Sequence, residues 1–167
     1  MEKVLLAING VKPSHKVFRY AVELCQRLKA ELQVLQVISP GQYGEYLKKV
    51  RKGAHWAKHF IEDSMIAATF AEAGEYGTAK DIIVQARKNM NQLLPESERA
   101  GVPYHLTIKS GRPSKEIIRY VKEHRDVVLT IYDGAQDENP VRGMSVDRDV
   151  PRKIREHMSI PLVVIKS

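Results

Sequence analysis

Short unbroken apolar runs alternate along this chain with longer stretches in which apolar residues recur every three or four positions. The first pattern is that of a strand buried on both sheet faces, the second that of a helix with one inward side. Residues 3–8 form the first run, closed by Asn9-Gly10, and Pro13-Ser14 opens a helix with Val17, Ala21, Leu24 and Leu28 on one side. Residues 31–38 read as a second strand, stopped at Pro40-Gly41. From Tyr43 to about Ala73 the period is helical, with Tyr46, Val50, Ala54, Ala57, Ile61, Met65 and Ala68 on one face. Gly74 and Gly77 are expected to break that helix, and Thr78 with Asp81 resembles a capping box for the next. Ile83, Ala86, Met90 and Leu93 line this following helix, which is expected to end near Pro95.

Residues 102–109 read as a third strand, and Gly111-Arg112-Pro113-Ser114 leads into a helix with Ile117, Ile118 and Val121 inward. Residues 127–132 are a fourth strand, followed by a polar loop over 133–148. Asp149 is the expected N-cap of a last helix that turns Ile154 and Met158 inward, before a final strand over 162–165. Strands that alternate with helices imply parallel pairing and right-handed crossovers. The pattern predicts an α/β fold, a doubly wound open parallel sheet of five strands in the order 3-2-1-4-5 with helices on both faces. One domain spans 1–167, with an extended helical crossover over about 42–97 inserted between strands two and three.

Composition narrows the class without naming an activity. Apolar residues are 43% and charged residues 28% of 167, the balance of a folded globular chain. No apolar run approaches the roughly 20 residues that cross a bilayer. The single Cys25 excludes an internal disulfide framework, lies on the apolar side of its helix, and fits a reducing compartment, so a cytoplasmic protein is expected. A net charge of +7 permits attraction to nucleic acid, anionic lipid or an acidic protein.

In an open parallel sheet a ligand binds beyond the carboxyl ends of the strands, where strand order reverses. The exits there are Asn9-Gly10-Val11-Lys12 and Asp133-Gly134-Ala135-Gln136. At this point the chain resembles the universal stress protein family over nearly its whole length. The resemblance is carried by Val4 to Gly10 and by Ala30 to Val37. It continues in Ala100-Gly101-Val102, Gly111 to Ile118, and the ending Ile160-Pro161-Leu162-Val163-Val164-Ile165. It implies ATP or AMP binding as a signalling switch in many members, and a homodimer formed through the C-terminal strand.

The departures from the family pattern point away from the nucleotide. ATP-binding relatives carry an aspartate after the first strand, where this chain has Asn9. They also carry a G-x-x-G loop followed nine residues later by G-S or G-T. Counted back from Pro161, the final pair falls on Arg148-Asp149 and the earlier glycines fall near Ala135 and Glu138. Gly134 and Gly143 do not restore the motif. Asp133, Asp137, Glu138, Asp147 and Asp149 place carboxylates where a triphosphate would lie, which Arg142 and Arg148 only partly offset. The expectation is therefore a non-catalytic stress-response or regulatory domain that acts through protein contacts and holds no cofactor. The alternative is an ATP- or AMP-binding switch, its nucleotide lined by Asn9, Gly10, Val37, Gly134 and Arg148.

Other constellations have plainer readings. The acidic loop lacks the D-x-D-x-D-G run and closing Glu of a calcium loop, so a solvated loop is expected there. His55 and His59 share a helix face, but no Glu follows His55 to make a zinc pattern, and with His105 they read as surface histidines. Ser14, Ser110 and Ser114 have no G-x-S-x-G elbow, so no hydrolase chemistry is supported. Lys48, Lys49, Arg51, Lys52 and Lys58, with Trp56 beside them, make the inserted helix basic on one side. A solvated face is the expectation there, and nucleic acid or an anionic surface the alternative.

Overall fold

The computed structural model describes residues 1–39, 73–134 and 149–165, with side chains from Asp81 onward in the second stretch. Five strands appear, β1 (Lys3–Asn9), β2 (Glu31–Ile38), β3 (Tyr104–Ser110), β4 (Val127–Asp133) and β5 (Leu162–Ile165). They form one sheet in the order β3-β2-β1-β4-β5, every pairing parallel. The helices are α1 (His15–Leu28), α2 (Ala73–Asn91), α3 (Leu94–Arg99), α4 (Pro113–Glu123) and α5 (Val150–His157).

β1 and β2 are buried along nearly their whole length because each is covered on both faces. Val4, Leu6 and Ile8 of β1 pack with Leu32 and Val34 of β2 against Val17, Phe18, Ala21, Val22 and Cys25 of α1. Met90 of α2 and Leu94 of α3 complete that side. Leu5, Ala7, Leu35 and Val37 point the other way, onto Ile117 and Tyr120 of α4 and Val150 and Ile154 of α5. Each such Leu, Ile or Val contributes about 1.5–3 kcal/mol on full burial. The two-sided core is what fixes β1 and β4 side by side and opens the switch point between their ends.

Ser14 is the N-cap of α1, its hydroxyl accepting from the Val17 amide at 3.4 Å. The helix ends on Lys29 in the left-handed region, with the Ala30 amide returning to the Cys25 carbonyl at 2.9 Å. Leu28, expected inward, is instead exposed, because Cys25 and Val22 already fill that part of the seam.

Two local expectations need correction. Gly77 does not break a helix: α2 runs through both Gly74 and Gly77, so Thr78 lies inside the helix rather than capping it. A glycine costs a helix only about 1 kcal/mol, which packing of Ile82, Ala86 and Met90 outweighs. α2 does end near Pro95, at Asn91, and Pro95 itself sits in the first turn of α3, where its missing amide is no loss. Asp149 occupies the N-cap position of α5 but is left-handed, at φ 53°, and its side chain makes no capping bond. The basic helix expected from Tyr43 to about Ala73, with His55, His59 and Trp56, lies outside the described residues up to position 72.

Candidate functional site

The carboxyl ends of β1, β2 and β4 meet at the switch point, and the chain leaves each in a similar way. The Gly10 amide pairs with the Val37 carbonyl at 3.0 Å, and the Gly134 amide with the Ile165 carbonyl at 3.1 Å. Each glycine adds one last rung to the ladder, after which the backbone turns off the sheet. Gly10 does so at φ 119°, a conformation that a side chain would strain.

The β1 exit loop is held from beneath by amides. Gln36, fully buried in β2, donates through Nε2 to the Gly10 carbonyl at 2.6 Å and to the Val11 carbonyl at 3.1 Å. Asn89 of α2 donates to the same Val11 carbonyl at 2.9 Å, and its Oδ1 accepts from Gln85 at 3.0 Å. The loop is thereby tied both to the neighbouring strand and to the long crossover helix. Gln36 Oε1 has no hydrogen-bond partner among the described residues.

On the other face of the sheet Asn9 Nδ2 reaches the Tyr132 hydroxyl at 3.3 Å, with Asn9 8% exposed. Farther down, the Tyr120 hydroxyl donates to Gln33 Oε1 at 2.9 Å, and its ring stacks on His124 with centroids 3.8 Å apart. Burial pushes the Tyr120 phenol above its usual range. Among the described residues these groups are amides, phenols and the His124 imidazole, so this face offers hydrogen bonds.

Among the described residues at the exits, the Asp133 carboxylate is already engaged. Asp133, last residue of β4 and 2% exposed, accepts the Ser14 amide on Oδ2 at 2.9 Å. It thus holds the amide of the α1 N-cap, at a helix end where the dipole favours negative charge. A phosphate approaching that helix end would meet a fixed carboxylate in its place.

Of the residues predicted to line a nucleotide, Asn9, Gly10, Val37 and Gly134 converge at these exits. Asn9 lies opposite Val37 in the ladder. Arg148 lies outside the described residues, as do Asp137, Glu138 and Asp147. Gln36, Asn89 and Tyr132 were not singled out from the sequence, although a glutamine inside an otherwise apolar central strand is a visible signal. His105 is exposed on the edge strand β3, and no group of three or more metal-ligating side chains occurs among the described residues. No helix among them is long and apolar enough to cross a membrane.

Comparison with known proteins agrees with this geometry. The sequence matches the Universal stress protein family over residues 1–166. No curated protein sequence matches it significantly. Universal stress protein UspA from Lactobacillus plantarum is similar in structure, at TM-score 0.61 and 15% identity, over 99% of this chain and 98% of that one. The universal stress protein from Archaeoglobus fulgidus in complex with dAMP is similar at TM-score 0.55 and 13% identity, over 99% and 98%. A universal stress protein in complex with cAMP is similar at TM-score 0.50 and 9% identity, over 99% and 97%. At these identities the structures show a common fold.

Proposed function

The chain belongs to the universal stress protein family, and we propose that within it this protein is a non-catalytic regulatory domain that acts through protein contacts and holds no ATP. The observation that carries the reading is Asp133, whose buried carboxylate takes the Ser14 amide at the switch point. Two further features support it. Asn9 stands where ATP-binding relatives have aspartate, and Arg148-Asp149 stand where they have glycine and a hydroxyl residue. The buried thiol of Cys25 suits work in the reducing cytoplasm.

Protein contact begins with a second copy. Among the described residues β5 pairs only with β4, so its outer edge offers unpaired backbone groups. Val163 and Ile165 face one core layer and Leu162 and Val164 the other, all half-buried. An antiparallel twofold pairing of β5 edges would cover both apolar rows.

The second reading, an ATP- or AMP-binding switch lined by Asn9, Gly10, Val37, Gly134 and Arg148, is favoured by the dAMP and cAMP held by structural relatives. Nucleotide carried through purification separates the two. Absorbance at 260 nm and mass spectrometry of the denatured protein should find none, and stoichiometric nucleotide would replace the first reading with the second.

A further inference from the structure

Helices α4 and α5 lie side by side on one face of the sheet, and their outer sides enclose an open groove of about 590 Å³. Lys115, Arg119 and Lys122 form one wall, on α4, and Lys153 and His157 the other, on α5. The α4 cations fall at i, i+4 and i+7, so they share one side of the helix and span about 10 Å. Ile118 lines the groove between the walls, its inner part packed on the core. Glu123 is the one carboxylate in the lining. Arg119 touches Glu116 at 3.6 Å, a loose i,i+3 contact that leaves most of its guanidinium donors for another partner. His157 Nδ1 is bonded to the Lys153 carbonyl at 2.9 Å, which turns Nε2 outward. The groove lies on the two helices, and the nucleotide readings use none of its lining residues.

We propose that this groove docks an acidic, amphipathic helical segment of a partner protein. The inference rests on the protein-contact reading above and supplies the chemistry of the partner. Carboxylates on successive turns of a helix stand about 6 Å apart, the spacing of Lys115 from Arg119 and of Lys153 from His157. An apolar side chain between those carboxylates would seat over Ile118, as an amphipathic helix seats in a groove. Two other anions fit less well. A single nucleic-acid strand wants successive aromatic platforms for its bases, and the lining has only the His157 ring. A lone phosphate wants donors converging on one point, whereas these cations are strung along a line. The matched charges would act chiefly through association rate and specificity, so binding should be salt-sensitive.

The test uses the full chain and a fluorescein-labelled synthetic helical peptide carrying Glu at i, i+4 and i+7 with Leu between, read by anisotropy in low salt. Lys115→Glu with Lys122→Glu should weaken binding by at least about tenfold. Arg125→Glu with Arg155→Glu makes the same change in net charge outside the groove and should alter it by less than about twofold. Ile118→Ser keeps every charge and should also weaken the peptide, and circular dichroism of each variant confirms that it is folded. Equal weakening by the two charge reversals would reduce the effect to net charge and overturn the site. Absence of saturable binding, or oligothymidylate bound more tightly than the peptide, would overturn the partner. Mg-ATP is titrated into the same sample. Tight ATP binding removes the regulatory reading whatever the peptide does, and peptide failure with weak ATP removes the groove alone.

Discussion

Removing the Asp133 carboxylate tests the physical basis of the switch point. In Asp133→Ala the Ser14 amide loses its carboxylate acceptor at 2.9 Å, on a residue that is 2% exposed. A hydrogen bond to a charged group contributes about 1.5–3 kcal/mol. A negative charge in the first turn of a helix adds about 0.3–1 kcal/mol, more where solvent is excluded. The two terms overlap, so a loss of about 2–4 kcal/mol is expected, or roughly 5–15 °C in thermal midpoint for a chain of this length. Asp133→Asn keeps an acceptor and removes the charge, so it should cost less than half as much. The alanine variant also uncovers the α1 amides, and added sulfate should raise its midpoint more than it raises that of the unaltered protein. Urea unfolding at fixed protein concentration measures the loss. A cost of the alanine variant under about 0.5 kcal/mol, or a sulfate response no different from the parent, would refute the assignment of Asp133 as the resident anion.

Three further outcomes follow from the same geometry. Gln36→Glu places a carboxylate against the Gly10 and Val11 carbonyls, now held by Nε2 at 2.6 and 3.1 Å, and should destabilise at neutral pH by more than about 3 kcal/mol; acidification should restore part of the loss by protonating the new group, and a pH-independent cost would contradict this. Burial pushes the Cys25 thiol up to about 12 from 9.0. The unfolded chain therefore gives up this proton first as pH rises, so Cys25 subtracts from stability above about pH 9, and the loss stops growing near pH 12. Iodoacetamide at mildly alkaline pH should label it only after unfolding, and rapid labelling of the native protein would show an open seam. Val164→Pro should convert a dimer to monomer or insoluble protein, because proline removes a strand donor; sedimentation of the unaltered chain as a monomer at micromolar concentration would show that the β5 edge is covered otherwise.

Much of the fold was legible because the central strands are buried on both faces. The runs at 31–38 and 162–165 stand in the structure with the predicted bounds. The strand expected over 102–109 begins later, at Tyr104, because Val102 instead closes the α3 turn, its amide on the Ser97 carbonyl at 2.9 Å. Gly77 misled because it is a helix breaker by local propensity, an effect that tertiary packing outweighs. The exits were legible as a place, through Asn9-Gly10 and Asp133-Gly134, but their wiring was not. The Gln36 and Asn89 bonds to Val11 join residues 25 and 78 positions apart, and no local pattern announces them. The same holds for Asp133 and Ser14, separated by 119 positions.

Isothermal titration of the purified protein with Mg-ATP bears most directly on the claim that the switch point no longer serves a nucleotide. With Asp133 already on the α1 amides, binding should be millimolar or weaker, with no saturation at accessible concentrations. A saturable isotherm in the low micromolar range would contradict the account and assign this chain to the nucleotide-holding members of its family.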